Sequence, residues 1–120
     1  MSNFKRSISS AQNKQLIIAG SFAPAGTGAI TAVKGSGFSA ARTNAGEITI
    51  TLTEKAVELV AALGSIRVST AADMDVQFGD YVAASKTLIL RTQAGATPTD
   101  IAADADNVVS FQLVIRLSDS

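Results

Sequence analysis

The chain has 120 residues, 47% hydrophobic and 17% charged, with ten basic and ten acidic side chains in balance and neither cysteine nor histidine. It is too apolar for a disordered segment, and no apolar run approaches the roughly 18 residues of a membrane span. It therefore reads as one soluble domain burying roughly two-thirds of its unfolded surface. Without Cys and His there is no disulfide, thiolate nucleophile, zinc–thiolate site or neutral-pH imidazole, which removes most hydrolase chemistry.

The charge is unevenly spread. Residues 1–46 carry Lys5, Arg6, Lys14, Lys34 and Arg42 and no acid, whereas residues 47–120 carry ten acids against five bases. Such a split suits subunits packed head against tail, or a basic arm on an acidic surface, although scattered charges of this number also arise without a role. Residues 1–15 (MSNFKRSISSAQNKQ) are polar and serine-rich, without periodicity and without the apolar centre of a signal peptide. They read as an extended N-terminal arm in front of a domain at 16–120. Phe4 and Ile8 are its only large apolar residues. Phe4, Lys5, Arg6, Ile8 and Lys14 are its candidate partner contacts, against the plainer reading of a loose terminus.

Residues 15–22 (QLIIAGSF) predict a first strand with Leu16, Ile18 and Phe22 inward and a bulge at Gly20. Residues 23–28 (APAGTG) form a loop and 29–34 a short second strand. The clearest pattern follows. Ile48, Ile50 and Leu52 alternate with Glu47, Thr49 and Thr51 behind residues 43–46 (TNAG), which predicts a hairpin whose first arm is 38–42, with Asn44 and Gly46 supplying positive φ. Residues 53–63 (TEKAVELVAAL) predict a short helix or a turn or two, capped by Thr53, closed at Gly64 and burying Leu59, Val60 and Leu63. The competing reading is the end of a strand and one turn.

Strand signals return at 65–70, 74–78 and 87–93, with Ile66, Val68, Met74, Val76, Phe78, Leu88 and Leu90 inward. Residues 93–100 form a loop in which Pro98 cannot join a central strand. The last strand is the strongest, with Val109, Phe111, Leu113, Ile115 and Leu117 on one face, and is expected at a sheet centre. About seven or eight short strands at about 8 to 12 residue spacing predict an all-β, single-domain antiparallel sandwich or barrel, the jelly roll being one member of that class. Its predicted core is Ile48, Ile50, Leu52, Val76, Leu88, Leu90, Phe111, Leu113 and Ile115.

Candidate chemistry is sparse. Asp100, Asp104 and Asp106 beside Asn107 offer oxygen ligands for calcium, but they lack the glycine and closing glutamate of an EF-hand and read as solvated loop carboxylates. The glycines at 26, 28, 35 and 37 are followed by neither the lysine and hydroxyl residue nor the helix of a phosphate loop, so they read as turns. No basic patch interleaved with aromatics suggests nucleic acid, and 120 residues leave little room for both a core and a glycosidase cleft. The composition implies no catalytic residue, cofactor, metal, membrane or small-molecule substrate.

Two segments carry a more specific likeness. Residues 35–42 (GSGFSAAR) with Gly46 and the Thr-rich strand behind it, and residues 106–116 (DNVVSFQLVIR), together resemble a family of small structural proteins of tailed bacteriophages. In that family a GxGFxxxR hairpin is followed by a segment ending STADD, here Ser69-Thr70-Ala71-Ala72-Asp73 with Ala72 where a second carboxylate is common, and by a closing NxVxFxLVxR strand. The likeness covers residues 30–117. It implies a decoration or cement protein on the outer surface of the virion's capsid, made in the host cytoplasm, with the major capsid protein and further copies of itself, as a trimer, for partners. A tail, baseplate or head-fibre component, or more distantly a non-viral carbohydrate-binding module, are the alternatives.

Overall fold

The computed structural model describes residues 15–104 and 106–117, which form two antiparallel sheets packed face to face. The candidate contacts Phe4, Lys5, Arg6, Ile8 and Lys14 lie outside the described residues. Strands β1 (Gln15–Ala23), β2 (Thr31–Gly35), β5 (Glu58–Arg67) and β9 (Val108–Arg116) make the first sheet, in the order β2-β1-β9-β5. The second has the order β3-β4-β7-β6, from β3 (Phe38–Asn44), β4 (Glu47–Leu52), β7 (Thr87–Ala94) and β6 (Asp75–Phe78), with the two-residue β8 (Thr97–Pro98) on β7. This is the all-β sandwich the turn spacing predicts. Pro98 stays out of any central strand, as its missing N–H requires.

Period-two alternation decides which side chains meet between the sheets. Strand β9 lies between β1 and β5, and Val109, Phe111, Leu113 and Ile115 are buried with Ile18 and Phe22 of β1. From the other sheet come Ile48, Ile50 and Leu52 of β4 and Leu88 and Leu90 of β7. Val76 packs half-buried against this core.

Around Phe111 the fold depends on missing side chains. Gly35, Gly20, Phe111 and Gly64 form one row across β2, β1, β9 and β5. A Cβ on Gly20 would run into the Phe38 ring, which crosses from β3 to meet Phe111 edge-on at a centroid distance of 5.0 Å and 75°. A Cβ on Gly64 would lie 2.6 Å from Val76 Cγ1. The glycines make room for side chains of the facing sheet.

Three expectations are corrected. Residues 53–63 form no helix: 53–57 are a connection, pinned where the Tyr81 hydroxyl donates to Ala56 O and accepts from Ala56 N at 3.0 Å, and the rest enters β5. Pairing of β5 with β9 overrides local propensity, a register shift at Val60 breaks the two-residue period, and Gly64 lies inside the strand instead of capping a helix. Val60 and Leu63 are exposed, and only Leu59 of the proposed stripe packs on the core. The hairpin turns at Ala45–Gly46, and of Asn44 and Gly46 only Gly46 takes positive φ, at 66°. Asn44 remains in β3 and donates to Glu47 Oε1. Finally, the irregularity in β1 falls between Ser21 and Ala23, leaving Gly20 in regular register.

Candidate interaction surface

The face of the first sheet turned away from the core carries the other half of the alternation of β1, β9 and β5. Cross-strand register sets its side chains in rows. Ile17, Val114 and Ala61 form one, Ala19, Gln112 and Leu63 the next, and Lys34, Ser21, Ser110 and Ser65 a third. A half-polar surface would ordinarily place charge on such a face. Instead Ile17 and Leu63 are 60% and 66% exposed, with Val60 beside them. An apolar stripe across three strands of a sheet is a surface shaped for contact.

Over the third row the sheet forms an open depression of about 590 Å³, floored by backbone of the glycine row. Its polar groups are the hydroxyls of Ser21, Ser65 and Ser110, the Gln112 carboxamide and the Lys34 ammonium, with Leu63 at the border. No carboxylate or imidazole stands among the lining residues to take a proton from a serine. The arrangement offers hydrogen bonds and apolar burial to whatever lies against it.

The three candidate acids do not converge. Asp100 grips Arg42 in a two-pronged pair, Nε to Oδ1 at 2.9 Å and Nη2 to Oδ2 at 2.8 Å, while Gly46 N donates to Oδ1 at 2.9 Å. The Arg42 hydrogen bonds, followed by that of Gly46, hold the Asp100 carboxyl below the usual carboxylate range, and the same pair raises Arg42. Asp104 instead accepts from Asp106 N at 2.9 Å and Ser69 Oγ at 3.0 Å, which also lowers it. Among the described residues no group of three acids is placed to hold a metal ion. Asp100 ties its loop to β3, and Asp104 ties its own loop to the bend after β5.

No family model matches the chain, and neither does any curated protein or solved structure. The motif residues quoted above nevertheless have physical partners in one another. Phe38 of the first segment meets Phe111 of the last edge-on, and Asn107 Oδ1 accepts from Ser69 N at 2.9 Å. Arg42 and Gly46 share Asp100. The exposed residues Ile17, Val60 and Leu63 are not legible as surface, since Val60 and Leu63 fall in the segment whose apolar residues read as a helix's buried stripe, and Ile17 falls in a run apolar on both faces.

Proposed function

We propose that this chain is a non-enzymatic structural protein of a bacteriophage virion, binding the outer surface of the major capsid lattice as a decoration or cement protein and stabilising it. The observation that carries the reading is that the three segments resembling the phage family contact one another in pairs, Phe38 with Phe111 and Ser69 with Asn107. Motifs of that kind serve a scaffold. The outward apolar stripe of Ile17, Val114 and Leu63 supports it, since a subunit of a shell needs a broad face to cover. In this reading its partners are the major capsid protein and further copies of itself, as a trimer around a threefold or quasi-threefold position.

A tail, baseplate or head-fibre role would use the same surface. A sugar-binding module is disfavoured because each described aromatic ring is buried or half-buried, leaving none to stack openly on a pyranose. Reconstruction of the virion that contains the protein separates these readings. Density for the sandwich on the outside of the shell is expected, and density confined to the tail or baseplate overturns the capsid assignment.

A further inference from the structure

We infer that residues 1–14 of one copy add as a strand to the free edge of β5 in another, linking subunits by mutual strand donation. A sheet edge left open is a template for pairing, and folded chains blunt such edges with shortness, charge or irregularity. Three of the four edges here are blunted. Strand β2 has five residues, with Lys34 and with Ala32 at φ 51°. Strand β3 carries Arg42, and its register shifts before Asn44. Strand β6 has four residues, beginning with Asp75. The fourth, β5, also shifts register once, at Val60, but at ten residues it is the longest of the four edges, carries no charge from Leu59 to Ile66 and runs in regular register from Ala61 to Arg67, and among the described residues its ladder partner is β9 alone.

The fourteen residues preceding Gln15 have the complementary character. Extended, they place Phe4, Arg6 and Ile8 on one side and Lys5, Ser7 and Ser9 on the other. They carry Lys5, Arg6 and Lys14 and no acid. Next to the flank where β5 meets β6 stand exposed Asp73 and Asp75 against Arg67, while Glu58 at the start of β5 is paired with Arg116 at 2.6 Å. Fourteen extended residues reach about 46 Å, while the uncharged stretch of β5 needs about 26 Å. Backbone pairing supplies affinity in this mode, and alternate side chains supply register.

The donor is a second copy because of where the strands begin. Gln15, Arg116 and Glu58 share one row, so β1 starts, β9 ends and β5 starts at the same end of the sheet. To reach the β5 edge of its own subunit the segment would cross both the end of β9 and the 53–57 connection, whose Val57 N donates to Arg116 O. Chains avoid such crossings. Donation around a ring closes the assembly, the usual outcome for soluble homo-oligomers.

The inference deepens the self-association proposed above and is tested on the isolated protein, so its failure leaves the virion assignment standing. Light scattering coupled to gel filtration should find the full chain oligomeric. A variant lacking residues 1–14 keeps every described core residue and should be monomeric with unchanged circular dichroism. Leu63→Lys, or Val60→Lys should the first fail to fold, adds charge to the exposed edge strand and should also be monomeric. Mixing the shortened chain with the lysine variant should restore a one-to-one complex, since one keeps an open edge and the other a donor strand. A monomeric full chain, an oligomer that survives either change, or a mixture that stays monomeric each overturns the inference.

Discussion

Phe111→Ala is the sharpest perturbation of the fold. The ring is 4% exposed and meets Phe38 edge-on, with Gly20 and Gly64 as its cross-strand neighbours. Because neither glycine has a side chain to move into the space, the cavity left by truncation would collapse poorly. Losses of about 3 to 5 kcal/mol accompany Phe→Ala changes in cores, and the edge-to-face pair contributes about 0.5 to 1.5 kcal/mol of that. Against a domain stability of about 5 to 15 kcal/mol this is a large fraction. At a urea slope near 1.5 kcal/mol/M the midpoint should fall by about 2 to 3 M. A double-mutant cycle with Phe38→Ala should then return a coupling of about 0.5 to 1.5 kcal/mol. A loss under about 1 kcal/mol would refute the burial argument, and zero coupling would refute the ring pair.

Two glycine variants separate backbone strain from collision. Gly95→Ala, at φ 63° with nothing near its Cβ, should cost about 1 to 2 kcal/mol, whereas Gly46→Ala, where a Cβ would meet Thr92 O and Pro98 C at 2.7 Å and Thr99 N, should cost clearly more in the same melts. Equal losses would show that the close approach of the 97–100 segment to the hairpin is wrong. The Arg42–Asp100 clamp predicts a pH dependence: Asp100 is lowered in the folded state, so the unfolded chain, with Asp near about 3.9, takes up a proton first as pH falls. The clamp's contribution is thus present above that value and lost as pH drops through the folded one. Between about pH 6 and pH 3 the urea midpoint of wild type should fall more steeply than that of Asp100→Asn, with Asp104 accounting for part of the remaining slope. Parallel profiles would remove Asp100 from the account.

What the sequence made legible, and what it hid, follow from one physical asymmetry. In β4 and β9 one face is apolar and the other mostly polar, so Ile48, Ile50 and Leu52, or Phe111, Leu113 and Ile115, announce both a strand and its buried side. The start of β5, Glu58-Leu59-Val60-Ala61-Ala62-Leu63, is apolar after its first residue on both faces, and with a register shift at Val60 it shows no two-residue period. Read alone it resembles a helix, because Ala and Leu are strong helix formers and Gly64 stands where a cap would. The pairing that decides the matter comes from β9, about fifty residues away in sequence, which no local window contains. The clamp was invisible for the same reason, Arg42 and Asp100 being 58 residues apart. The misreading is itself informative: a strand needs apolar residues on both faces only when both are to be covered. In β5 the inner face meets Val76 and Phe78, while the outer face and the edge have no covering element among the described residues. The apolar run that made β5 look helical is therefore the feature on which the proposed self-association rests.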